Sequence, residues 1–263
     1  MGVNSKAYRM REFIRPSDQR SLIVDTSAGL SLGPLPGLED FSAAVIPLLP
    51  LADGIVTSPG QSRRLSGRTR GDAALLVRGD WTNALRGPDF PLPPETISRV
   101  PLLTPQEALD LGASALVVHF LLGHEEEIEA GCLRSTVQFA LEGNRVGMPL
   151  IVDVQPIGPR VVLRNKAIEL GVSYALEGGA DGAAIPWPGE ASLMTIMEMA
   201  AGMPILIKPS SLEAAKEELA QALVLGASGL WLGADLFARP DPADVVSRLR
   251  ELVHQQNVPA PQA

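Results

Sequence analysis

Short apolar runs rich in β-branched residues alternate with stretches of helical periodicity along almost the whole chain. The runs at 22–26, 54–58, 73–78, 115–120, 149–155, 182–186, 204–208 and 229–233 are nearly continuous in apolar residues, as strands buried on both faces of a parallel sheet are. Between them, apolar positions recur at helical spacing over 38–52, 125–146, 161–176, 193–201 and 212–225, and a last helix is predicted at 244–254. Ser211 with Glu213 and Ala214 reads as a helix start, as does Asp241-Pro242, while Gly112, Gly147, Gly171, Gly202 and Gly226 read as helix ends. Leu-Gly-Ala or Leu-Gly-Val at Leu111, Leu170 and Leu225 supplies the glycine that a short helix-to-strand turn needs. Eight strand–helix units predict an α/β fold, a single (β/α)8 TIM barrel; the strand count is the argument against a doubly wound open sheet.

The barrel is expected over 21–254, after an N-terminal extension at 1–20 and before a flexible tail at 255–263. Residues 80–104 break the compact spacing with Trp81, Asn83, Arg86, Pro88, Phe90, Pro91, Pro93 and Pro94, and a loop of that length reads as a lid or an interaction segment.

A length of 263 residues and 46% hydrophobic content suit one large barrel domain. The net charge of −8 argues against a nucleic-acid or acidic-membrane partner, so Arg63-Arg64 and Arg68 to Arg70 read as solvated helix surface. The one cysteine, Cys132, excludes an internal disulfide and falls on an amphipathic stretch as a core residue. Lys6, Arg9, Arg11 and Glu12 are not followed by an apolar signal region, and no apolar run of about 18 residues occurs. The expectation is a soluble cytoplasmic protein.

In such a barrel, chemistry gathers at the carboxyl ends of the strands. The polar residues there are Asp25, Thr26 and Ser27 on strand one, Arg78 and Asp80 after strand three and His119 on strand four. Asp153 and Gln155 follow on strand five, Lys208 on strand seven and Asp235 after strand eight. Asp153 and Gln155 share strand parity, and an aspartate in an apolar run belongs in the barrel mouth, where Lys208 is an available partner. Lys208 follows Ile205, Leu206 and Ile207; desolvation there frees an amine for nucleophilic attack, whereas nearby carboxylates oppose that, and the sequence leaves the balance open. His119 reads as an acid or base, a ligand, or a satisfied barrel residue. No HxxxH, HxH or CxxC spacing occurs, so no metal and no cofactor is expected.

The segment Ala180-Asp181-Gly182-Ala183-Ala184-Ile185-Pro186-Trp187-Pro188-Gly189 resembles the sixth-strand motif of the bacterial and archaeal class I aldolases related to fructose-bisphosphate aldolase. In their pattern, Ala-Asp-x-x-Lys-x-Pro-Tyr-Pro-Gly, the lysine forms a Schiff base with the substrate carbonyl; that slot here is Ala184. The resemblance runs from about residue 21 to 253, through Gly29, Ser31, Gly33-Pro34, Gly37-Leu38, Glu107-Ala108-Leu109, Gly112-Ala113, Gly233, Phe237 and Arg239-Pro240-Asp241-Pro242. The family's strand-five tyrosine falls on Gln155. Its first-strand Asp-His-Gly falls on Asp25 with a shift or on Ser27-Ala28-Gly29 without one. Ile207-Lys208-Pro209 resembles the strand-seven Val-Lys-Pro of deoxyribose-phosphate aldolase, which implies a relocated amine. Pro209-Ser210-Ser211 and Gly233-Ala234-Asp235 stand where relatives cradle phosphate with glycine amides and a Gly-Arg-Asn turn, which implies a substrate without phosphate or one anchored differently.

The resemblance implies a divergent lyase that makes or breaks a carbon–carbon bond in a small carbonyl compound, assembled as a homo-oligomer. Lys208 would be nucleophile or electrostatic anchor, with proton transfer by Asp25 or Asp153. His119 and Gln155 would orient oxygens, Arg78 would bind a carboxylate, and Ser210, Ser211 and Asp235 would contact substrate. Two rivals remain open at this point: an amine-free isomerase, dehydratase or cyclase using Asp25, Asp153 and His119, and a non-catalytic binding or assembly subunit.

Overall fold

The computed structural model describes residues 2–65 and 73–255; Arg68, Arg70 and residues 256–263 of the expected tail lie outside the described residues. Helix α1 (Gly2–Met10) leads to β1 (Ser21–Asp25), α2 (Gly29–Leu32), α3 (Phe41–Val45), β2 (Gly54–Thr57), α4 (Pro59–Leu65) and β3 (Ala74–Arg78). The excursion holds β4 (Asp80–Thr82) and β5 (Arg99–Pro101), followed by α5 (Pro105–Asp110), β6 (Ala115–Leu122), α6 (Glu126–Val146) and β7 (Leu150–Pro156). The chain continues through α7 (Arg164–Glu177), β8 (Gly182–Pro186), α8 (Glu190–Ala200), β9 (Ile205–Lys208), α9 (Ala215–Val224), β10 (Gly229–Leu232) and α10 (Pro242–Val253).

Eight strands close into a parallel barrel in the order β1-β10-β9-β8-β7-β6-β3-β2, while β4 and β5 form a separate antiparallel ribbon. The seam joins β1 to β10, with Ser21 opposite Gly229. A Cβ at residue 229 would lie 1.9 Å from the Ser21 carbonyl oxygen, and φ is +130° there, so only glycine lets the seam shut. The fold is therefore a single (β/α)8 TIM barrel.

Two-residue periodicity splits each strand between two cores. Outward residues such as Val152, Val154 and Ile207 pack under the helices. Inward residues, among them Ile23, Leu76, Val117, Ile151, Ala184, Leu206 and Trp231, fill the barrel. Two residues beyond this inner layer stand Asp25, Arg78, His119, Asp153 and Lys208, so the period that makes the core also delivers the polar groups to the mouth.

Several sequence expectations change. The segment 1–20 is more than an extension: Phe13 and Ile14 are buried in the inner core with Ile23 and Trp231, and Lys6 Nζ lies 2.8 Å from Asp181 Oδ2. The helix expected at 38–52 is only α3 followed by a 3-10 turn at Ile46–Leu48, because Pro47 has no N–H to continue the ladder. Gly171 lies inside α7 rather than ending it; a Cβ there would come within 2.5 Å of Val154 and 2.8 Å of Leu122, so the glycine serves close helix–strand packing. The helix ends instead at Gly178, with Gly179 at φ +84°. Helix α5 starts from a capping box in which Thr104 and Glu107 bond reciprocally. The start at Asp241 holds, its side chain accepting from the Asp244 amide (3.0 Å), whereas the helix expected at Ser211 begins only at Ala215; Ser211 accepts from the Ala214 amide (3.2 Å) in the turn before it. Cys132 is buried, and burial pushes its thiol up, away from nucleophilic use.

Candidate active site

The mouth of the barrel holds a cavity of about 150 Å3 lined in part by Asp25, Ser27, Arg78, His119, Asp153, Gln155, Lys208 and Trp231. Arg78 on β3, only 2% exposed, is its hub. Its Nη2 donates to Asp25 Oδ2 (2.7 Å) and Asp153 Oδ2 (3.0 Å), and its Nε donates to Ser27 Oγ (3.1 Å). Burial alone would weaken the guanidinium, but Asp25, Asp153 and Asp80 outweigh it and raise its pKa. Arg78 thus pairs mainly with the protein's own carboxylates; its Nη1 is buried without a hydrogen-bond partner among the described residues.

Asp25 is held on all sides. Its Oδ1 accepts from the Ser27 amide (2.8 Å) and hydroxyl (2.6 Å), and its Oδ2 accepts from Trp231 Nε1 (3.2 Å) besides Arg78. Asp153, 2% exposed, is shared more widely. Lys208 Nζ pairs with its Oδ1, and Gln155 Nε2 donates to the same oxygen at 3.0 Å. Burial would raise the Asp153 carboxyl, yet Lys208, Arg78 and His119 hold it well below the ordinary carboxylate range.

The reach of Lys208 depends on its neighbour. Asp153 lies beside Ala184 on β8, and Lys208 lies beside Pro186 on the same strand, so the ammonium crosses the whole of β8 to meet a carboxylate two strands away. That span is about 10 Å, and the fully buried Ala184 lies beneath it with no long side chain of its own.

His119 Nδ1 lies 2.9 Å from Asp80 Oδ1, and its Nε2 stands 3.9 Å from Asp153 Oδ2. Asp80, fully buried, also accepts from the His119 amide (2.9 Å) and from Arg99 Nε on β5 (2.7 Å). Burial would raise its carboxyl, but the charges on His119 and Arg99 bring it down to about 2. The excursion at 80–104 therefore builds a wall of the mouth. Arg99 anchors Asp80, Leu85 lines the cavity, and Arg86, lying over Trp81 (5.5 Å) and Phe90 (5.0 Å), donates to the Ser31 carbonyl at 2.9 Å.

The sequence-predicted residues Lys208, Asp25, Asp153, His119, Gln155 and Arg78 converge. Ser210, Ser211 and Asp235 do not line this cavity. Glu218 of α9 takes the Ser210 amide (2.8 Å) and hydroxyl, Ser211 caps Ala214, and Asp235 is exposed in a 3-10 turn. Trp231 and the anchoring roles of Asp80 and Ser27 are absent from the sequence-based site. Strand parity was the usable signal for Trp231, which stands two residues from the seam glycine on the inward side.

No family model matches the chain. It is 26% identical over 249 residues to the 2-amino-3,7-dideoxy-D-threo-hept-6-ulosonate synthase of Halobacterium salinarum, covering 92% of this chain and 90% of that protein. It is 25% identical over 257 residues to the 2-amino-4,5-dihydroxy-6-oxo-7-(phosphonooxy)heptanoate synthase of Streptomyces griseus, covering 95% and 90%. Among solved structures, an archaeal fructose 1,6-bisphosphate aldolase superposes with a TM-score of 0.79 at 22% identity, over 95% of this chain and 99% of that one. The similarity to these synthases runs along nearly the full length of the chain, and the closed (β/α)8 barrel is the fold it shares with the solved class I aldolases.

Proposed function

We propose that this protein is a carbon–carbon lyase that works on a small carbonyl compound without a phosphate group, with Lys208 as its amine nucleophile. The observation that carries the reading is the extension of Lys208 across β8 to Asp153, which puts an amine on the cavity lining although its strand differs from that of the family lysine it resembles. Attack of that amine on a substrate carbonyl, with loss of water, gives an iminium that withdraws the electron pair of an adjacent carbon–carbon bond. Asp25 and Arg78 hold Asp153 in place, and Asp153 keeps the amine in the mouth.

Two features support the substrate class. The cavity, about 150 Å3, is smaller than the roughly 300–1,000 Å3 pockets that take drug-sized ligands, as suits a small substrate. The seat after β9, where the resemblance expects phosphate, is already filled by the Glu218 carboxylate on the Ser210 amide, and a second anion there meets its charge.

The test is reductive trapping with borohydride in the presence of dihydroxyacetone or pyruvate, followed by peptide mass mapping. A single adduct on Lys208, absent from Lys208→Met, is expected; an adduct elsewhere, or none, would remove the covalent mechanism. Turnover that survives Lys208→Met but not Asp153→Asn would instead favour amine-free acid–base chemistry on the same site.

A further inference from the structure

The carboxylates of the mouth are poorly suited to carrying a proton. Asp25 accepts from Ser27, Arg78 and Trp231, and Asp153 accepts from Lys208, Gln155 and Arg78, so protonating either one strands buried cations. His119 differs. Its Nε2 makes no hydrogen bond among the described residues, although the ring lines the cavity; the facing carboxylate oxygen of Asp153 is 3.9 Å away.

The other side of the ring is fixed. Asp80 is ionised and so only accepts, which assigns the hydrogen to Nδ1 of His119 and leaves Nε2 as the nitrogen that gains and loses a proton. Asp80 cannot turn away, because its second oxygen is held by the His119 amide and by Arg99. The charged groups around the ring are Asp80 on β4, Arg99 on β5, Arg78 on β3, Asp153 on β7 and Lys208 on β9.

We propose that His119 is the proton carrier of this site and that Asp80, supported by Arg99 from the ribbon, is the positioning residue that sets its tautomer. In the cleavage direction a substrate hydroxyl gives its proton to Nε2, and the oxygen keeps the O–H electron pair. That pair becomes the carbonyl π bond as the carbon–carbon bond breaks, and the pair from the broken bond passes to the iminium, leaving an enamine. The imidazolium then returns the proton to the enamine carbon, and water hydrolyses the resulting iminium. Asp80 stays ionised throughout. The electron sink rests on the Lys208 reading; the histidine–carboxylate pair stands independently of it.

Nitrogen-15 NMR of histidine-labelled protein reads the tautomer directly. The wild type is expected to show a protonated Nδ1 and an unprotonated Nε2 at alkaline pH. Asp80→Asn should lose that single tautomer. Proton exchange into dihydroxyacetone from D2O is expected to fall at least a hundredfold in His119→Gln and in Asp80→Asn, with no further fall in the double variant. Borohydride trapping on Lys208 should persist in both, so a failed trap counts against the lysine alone. A wild-type ring protonated on Nε2 and bare on Nδ1 would overturn the proposal, and that measurement needs no variant to fold. Exchange within threefold of wild type in a folded Asp80→Asn protein, with an unchanged pH profile, would also overturn it.

Discussion

Replacing Asp153 with asparagine keeps the shape of the side chain and removes one charge from the centre of the site. Arg78 would retain Asp25, whereas Lys208 would lose its only ion-pair partner among the described residues. Breaking a buried pair costs about 3–5 kcal/mol. Because Arg78 keeps one carboxylate and the Lys208 side chain is 18% exposed, the lower end applies, about 3 kcal/mol. For a chain of this length that corresponds to a fall in melting temperature of about 6–12 °C.

Urea unfolding at pH 7 of the wild type, Asp153→Asn, Lys208→Met and the double variant completes a cycle, and about 1–3 kcal/mol of coupling is expected between the two sites. Acidification supplies an independent check. The folded-state pKa of Asp153 lies below its unfolded value, so the ionised carboxylate contributes its stability above about pH 4 and loses it as pH falls toward the folded value. Asparagine has no such dependence, so the wild-type and variant curves should converge in acid. A variant within 0.5 kcal/mol of wild type at pH 7, or a gap that widens on acidification, would refute the account of Asp153 as the shared anion of the site.

Two further outcomes follow from the same geometry. Ala184→Leu should place a side chain in the path of Lys208 and abolish borohydride labelling, at a stability cost of about 1–3 kcal/mol; full labelling of a folded variant would show that the amine does not cross β8 there. At the opposite end of the barrel, Asp53 accepts from the Leu22 amide (2.7 Å), Arg15 Nε (2.7 Å) and His254 Nε2 (2.9 Å), and although burial opposes it, these contacts lower its carboxyl. Asp53→Asn should therefore cost about 2 kcal/mol at pH 7 with trapping on Lys208 unchanged. The cost should shrink below about pH 4, where the unfolded carboxyl takes up a proton while the folded one still resists it; an equal cost at pH 7 and pH 3.5 in urea unfolding would contradict the linkage.

The barrel was legible because its strands are apolar on both faces and its helices repeat at their own period. Strand parity put Asp153 and Gln155 on one face, and a strand-end position put Lys208 beside them; all three line the cavity. Where reading failed, a local rule met a tertiary demand. Gly171 has the sequence context of a helix end, but its missing side chain is used to bring α7 against β7 and β6. Ser210 and Ser211 look available at a strand end, yet Glu218, eight residues on from Ser210, claims the first and Ala214 the second. Asp80 was visible only as a strand-end polar residue. Its partner Arg99 lies on the far strand of a ribbon that residues 80–104 do not announce, because each arm has only three residues and prolines crowd the loop between them.

The seam between β1 and β10 has a consequence for how the chain is made. Phe13 and Ile14 precede every barrel strand, and the wall that encloses them is not complete until Gly229 meets Ser21. During synthesis, an apolar stopper and the open edge of β1 must therefore wait for the last strand, and closure requires a pairing of very long sequence separation. A chain interrupted before β10 is not a smaller barrel. It is an unsealed sheet with two bare edges, and its hazard is association with other copies while it waits.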